Sequence, residues 1–143
     1  MIERVEKNKI LYAIIVRSNY KEKDCIKFFT PNEFSQQLAY MNRSKGYKIK
    51  PHIHKKNNKM TTYTQEVLFI KSGKVRVDFY DESKNYVISK ILNSGDIILL
   101  SEGGHGFEFL DDAEIIEVKQ GPYDKDKDKI RFDKPSTDKL SFE

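Results

Sequence analysis

From Gly46 onward the chain is cut into short apolar runs by turn-forming residues, and this rhythm constrains the fold more than any single residue does. Lys74-Val75-Arg76-Val77-Asp78-Phe79-Tyr80 alternates apolar and polar side chains with period two, the pattern of a strand that buries one face. Tyr86 to Leu92 reads as its return strand across a turn at Asp81 to Asn85, and Asn93-Ser94-Gly95-Asp96 turns again into Ile97 to Leu100. Thr64 to Ile70 is a buried-looking run closed by the Ser72-Gly73 turn, Tyr47 to His54 alternates, and Ala113 to Lys119 ends the series. Gly103 and Gly104 permit a tight bend before His105, after which Phe107 and Phe109 share its face. Many short strands separated by turn signals specify an all-β sandwich or barrel.

The first third of the chain adds two further strands and a helix. Ile10 to Val16 is β-branched and apolar, as a buried strand requires, and Ile26 to Phe29 is a shorter run of the same kind. Thr30-Pro31-Asn32-Glu33 combines an N-cap threonine, a proline at the first helical position and a glutamate three residues after the cap. Phe34, Leu38 and Met41 follow at helical intervals, so an amphipathic helix is expected to run from there to near Gly46, its aromatic and methionine stripe packed on the core.

The 143 residues fit one domain, 1–143, able to bury roughly two-thirds of its unfolded surface. No apolar run approaches the roughly 20 residues of a membrane helix, and Met1 to Ile10 is charged and followed by no hydrophobic core or cleavage site of secretory type, so no secretory leader is expected there. Cys25 is the only cysteine, so no internal disulfide forms and a cytoplasmic setting is expected. The net charge is +4, but no recognition-helix or RNA-binding signature accompanies it, which argues against nucleic acid. One charge run stands out. Lysines 45, 48, 50, 55, 56 and 59 occur without an intervening acid; they form either a solvated loop or an electropositive mouth for an anionic ligand such as a sugar phosphate.

All three histidines fall in two segments, Gly46-x5-His52-x-His54 and Gly95-x9-His105, with Glu66-x6-Gly73 between them. On a strand, residues i and i+2 point the same way, so His52 and His54 can aim both imidazoles at one point. Imidazole and carboxylate donors suit a divalent transition metal such as zinc, iron, manganese or nickel.

The glycine, His-x-His, glutamate and glycine pattern resembles the first motif of the cupin superfamily, and Gly95-Asp96-Ile97-Ile98-Leu99-Leu100 with Gly103-Gly104-His105 is similar to the second. The segments span about the middle half of the chain. The runs Thr64 to Ile70 and Glu117 to Tyr123 further resemble small bacterial cupins associated with surface-polysaccharide pathways. The resemblance implies a jelly-roll barrel, the double-stranded β-helix, over about 46–123, preceded by strands and a short helix over 10–45 and followed by a charged tail, 124–143. It implies a metal held by His52, His54, Glu66 and His105, a homodimer, and a small anionic sugar-type ligand undergoing isomerisation or epimerisation. A metal-free nucleotide-sugar ketoisomerase, an iron-dependent dioxygenase and a non-catalytic ligand-binding module are the alternatives.

The sequence departs from that pattern in three places: eleven residues separate His54 from Glu66, the second motif is one residue short with Ser101 for its proline, and Phe109 stands where asparagine is usual. Candidate acid–base groups are Tyr63, Gln65, Glu117 and Lys119. The last two serve only if they, and not Ile116 and Val118, face the cavity. In the tail, Asp124, Asp126 and Asp128 alternate with lysines, but Lys129 and Pro135 occupy the glycine and glutamate positions of a calcium loop, so the segment reads as solvated. Ile130, Phe132 and Phe142 are its candidate docking residues.

Overall fold

The computed structural model describes residues 1–124 and 128–133. Ten strands follow in order: β1 (Ile2–Lys7), β2 (Ile10–Val16), β3 (Cys25–Phe28), β4 (Ala39–Asn42), β5 (Glu66–Ser72), β6 (Lys74–Tyr80), β7 (Tyr86–Asn93), β8 (Ile97–Leu100), β9 (Gly104–Phe109) and β10 (Glu114–Lys119). They form three open sheets: an antiparallel five-stranded sheet ordered β1-β2-β8-β5-β10, a three-stranded sheet β7-β6-β9, and the hairpin β3-β4. The all-β expectation therefore holds, and the closed jelly-roll barrel does not. Both larger sheets end in free edges, β1 and β10 in one, β7 and β9 in the other.

The two larger sheets share one apolar interior. Pairing aligns Ala13, Leu100, Glu66 and Lys119 in one row across β2, β8, β5 and β10, and Ile15, Ile98, Leu68 and Glu117 in the next. Ala13, Ile15, Leu68, Ile98 and Leu100 join Val77, Phe79 and Leu92 of the other sheet in a single buried cluster. These rows therefore face the interlayer space. Each fully buried aliphatic chain contributes about 1.5–3 kcal/mol by leaving water, and truncating one, such as Ile98→Ala, costs about 2–5 kcal/mol.

The other face of β6 departs from the alternation rule. Arg76 and Asp78 point away from the shared core yet are buried, and so is Ser89 opposite Asp78. The Arg76 guanidinium donates two bonds to the Asp78 carboxylate at 2.9 and 3.1 Å, Ser89 donates a third, and Glu108 lies 2.6 Å from Arg76. A buried ionic pair is tolerated only when matched in this way.

Three local expectations are corrected. No helix occurs among the described residues; the segment after Thr30 is a series of turns leading into β4. Thr30 Oγ1 donates to Gln37 Oε1 (2.7 Å) and accepts from Leu38 N (3.2 Å), while Gln37 Nε2 donates to the Pro31 and Phe34 carbonyls. Side-chain bonds thus take the backbone groups a helix would have used, and Tyr40 and Met41 pair instead with Lys27 and Ile26. Tyr47 to His54 is not a strand: every residue from Ser44 to Thr64 is exposed. Conversely, β1 forms from a charged segment not recognised as a strand. Asn8 and Lys9, both with positive φ (53° and 67°), make the tight turn that folds it onto β2.

Candidate functional site

At one end of the interlayer space the apolar rows give way to polar ones, and a cleft of about 870 Å³ opens. Glu66 begins β5 in the inward row. His105 on β9 sits opposite Phe79 and so also faces inward. The two sheets thereby bring together residues 39 positions apart, with His105 Nε2 3.2 Å from Glu66 Oε2. The bend before β9 depends on Gly103. Its φ is +74°, and a Cβ there would meet the Tyr12 ring and the Tyr80 carbonyl at 2.6 Å, so only glycine fits.

Glu66 is buried at 4% exposure. Its second oxygen lies 3.6 Å from Lys119 Nζ and 3.4 Å from Lys129 Nζ. The bond from His105 is the main reason its pKa falls from 4.5 to about 2; burial opposes the shift, and the charges of His105, Lys129 and Lys119 reinforce it. Lys119 also donates to Glu117 Oε1 at 3.1 Å and lies 4.9 Å above the Tyr123 ring; the bond to Glu117 raises its pKa. A neutral imidazole that donates Nε2–H to Glu66 carries its lone pair on Nδ1, the tautomer suited to accept a proton.

The expected residues separate into two groups. Tyr63 and Lys119 line the cleft with Glu66 and His105. Glu117 shares the inward phase and supports Lys119, while Ile116 and Val118 are exposed on the outer face. Gln65 is spent elsewhere: its Oε1 accepts from Gln36 N at 3.1 Å. His52 and His54 lie on the exposed loop, their ring centroids 5.2 Å apart, and His52 Nδ1 is 3.0 Å from the Lys50 carbonyl. Neither lines the cleft.

The cupin-type metal centre is therefore overturned. Among the described residues, no group of three or more His, Cys, Asp or Glu side chains could hold a metal ion. Glu66 and His105 offer two donors, and the two ammonium groups beside Glu66 would repel a dication there. No family model matches the chain, and neither a curated protein nor a solved structure matches it. The cupin resemblance, and the barrel and metal-dependent isomerase drawn from it, fall with these findings. No helix among the described residues is long and apolar enough to cross a membrane.

Three contributors to the cleft went unrecognised in the sequence. Asp78 reads as a solvent-facing strand residue; the opposite charge at Arg76, two positions away on the same face, is the signal that could have marked it as a buried partner. Lys129 and Arg131 come from the tail and line the cleft; no local pattern announces them. Asp126, Pro135 and Phe142 lie outside the described residues, while Ile130 is 85% exposed.

Proposed function

We propose that the cleft binds a small hydroxyl-bearing molecule of sugar type, and that the His105–Glu66 pair exchanges a proton with it. The observation that carries this reading is the buried, ionised Glu66 bonded to an imidazole at the base of an open cleft. Such a pair orients the ring and fixes which nitrogen is left to meet a ligand, which is what a general base or acid requires. Tyr63, Phe107 and Tyr123 supply ring faces and edges on the walls, the amphipathic surfaces against which a sugar's C–H groups and hydroxyls pack.

The charge of the walls is balanced. Lys119, Lys129 and Arg131 stand against Glu66, Glu102 and Asp128, with Asp78 matched by Arg76. Support for an anionic ligand comes from the loop instead, because its six lysines between 45 and 59 run into the wall at Thr62 and Tyr63. A cytoplasmic setting belongs to the same reading, supported by the lone thiol of Cys25.

The test uses the three histidine ring signals in proton–carbon NMR spectra while glucose, glucuronate and glucose 6-phosphate are titrated in turn. The expected result is movement of the His105 signals with at least one of them, lost in Glu66→Gln. If none of the three moves His105, the reading is wrong.

A further inference from the structure

The described part of the tail is held at both ends and meets the cleft between them. At its start, Asp128 Oδ2 accepts from Asp124 N at 2.7 Å, and Asp128 N donates to the Asp124 carbonyl at 3.0 Å. At its end, the Phe132 ring stands edge-on to Tyr80, centroids 5.2 Å apart, with Lys84 Nζ 5.7 Å from the Phe132 centroid. The ring lies close over Gly104: a Cβ at that position would lie 3.3 Å from both Phe132 Cζ and Tyr80 Cβ, so a side chain there would push the ring by a few tenths of an ångström.

Tyr80 is on the face of β6 opposite the shared core, whereas Glu66 faces the interlayer space. Lys129 reaches Glu66 and Phe132 reaches Tyr80, so residues 129–132 run along the cleft from one to the other. Between the anchors, Lys129 places its ammonium 3.4 Å from Glu66 Oε1. Without this segment the cleft would lack one wall and Glu66 one of its two lysines.

We propose that Asp128–Phe132 is a strap that completes the ligand site, with Phe132 as a positioning residue that holds Lys129 beside the His105–Glu66 pair. This rests on the reading of the cleft as the site. It goes further by making ligand recognition depend on an aromatic contact with Tyr80 at the end of β6. Lys129 becomes a recognition residue, and Phe132, itself on the cleft wall, positions it.

The test needs no ligand for its first arm. In Lys129→Ala the His105 ring signals should shift, because the ammonium beside Glu66, the partner of His105, is lost. Phe132→Ala should shift them the same way, and the double variant should add nothing beyond either alone. Phe132→Trp, which keeps a ring in the seat, should restore them, and its indole, the only one in the chain, should fluoresce as a buried group. The dispersed amide signals of the β-strands should stay in place throughout, which shows that the fold persists. In the second arm, glucose 6-phosphate should bind Lys129→Ala and Phe132→Ala about tenfold more weakly than wild type, the effect of losing one good charged contact. Unmoved His105 signals in Phe132→Ala, or additive shifts in the double variant, would overturn the strap. Failure of glucose, glucuronate and glucose 6-phosphate alike to move His105 in the wild type would overturn the site reading instead, leaving the ligand-free arm to judge the strap alone.

Discussion

His105 and the His52–His54 pair use the same side chain in opposite settings. His105 is fixed by β-pairing to a register position opposite Phe79, shares a bond with a buried carboxylate, and borders an open cleft. The other two stand on a loop in which every residue is exposed. Their rings approach one another, yet no third donor accompanies them among the described residues. The contrast teaches that spacing along the chain makes a site only where the backbone between the residues is itself held. Sheet pairing does this for Glu66 and His105; nothing comparable holds residues 44–64.

If that contrast is right, substitutions in the cleft and its supports should be costly, and those in the loop nearly silent. The largest effect is expected from Asp78→Ala, which takes from the buried Arg76 its two-bond carboxylate partner and leaves it the exposed Glu108. A loss of about 3 kcal/mol or more is expected in urea unfolding, and a loss below about 1 kcal/mol would break the argument that this face is a matched ionic layer.

The next effect concerns acid. Because Glu66 has a folded pKa near 2 against 4.5 unfolded, its contribution to stability is complete above pH 4.5 and is lost as pH falls toward 2. The shift corresponds to roughly 3 kcal/mol. Glu66→Gln should therefore flatten the stability profile between those two pH values. An unchanged acid limb would show that Glu66 is not held ionised by its neighbours. A smaller change is expected in Lys129→Ala: the Glu66 carboxyl, followed by NMR, should titrate higher than in wild type but still below 4.5, since the bond to His105 remains. The least effect belongs to the loop. The double variant His52→Ala, His54→Ala should match wild type within about 0.5 kcal/mol and leave the His105 signals unchanged. A large loss there would give the loop a structural role that its exposure argues against.

The regular strands were legible because their physics is local. Lys74–Tyr80, Ile10–Val16 and Ile97–Leu100 occur where alternation or β-branched runs put them. The helix after Thr30 was misread because an N-cap threonine is also a turn residue, and here Gln37 completes the turn. Closure into a barrel was not legible, since it depends on which edges meet, and edge strands resemble any others in sequence. Half of the expected ligand set was misplaced for a related reason. Glu66 and His105 lie in strands whose phase fixes their direction, whereas Tyr47 to His54 alternates without a partner strand to pair with. The contribution of Lys129 could not be read at all, because it comes from a segment without strand pattern that meets Glu66 across 63 positions of sequence.

The buried Arg76–Asp78–Ser89 layer has a consequence for how the chain finds its pairing. Sliding β6 past its neighbours by one residue would turn these groups into the hydrocarbon interior and push Val77 and Phe79 out to the far face. For an all-apolar strand with two buried faces such a slip is cheap, because either face can pack. Here it would strand a guanidinium and a carboxylate among aliphatic side chains with their hydrogen bonds to Ser89 and Glu108 broken. The ionic layer therefore acts as a registration key, rejecting misaligned sheets during folding whatever its net worth to the finished molecule.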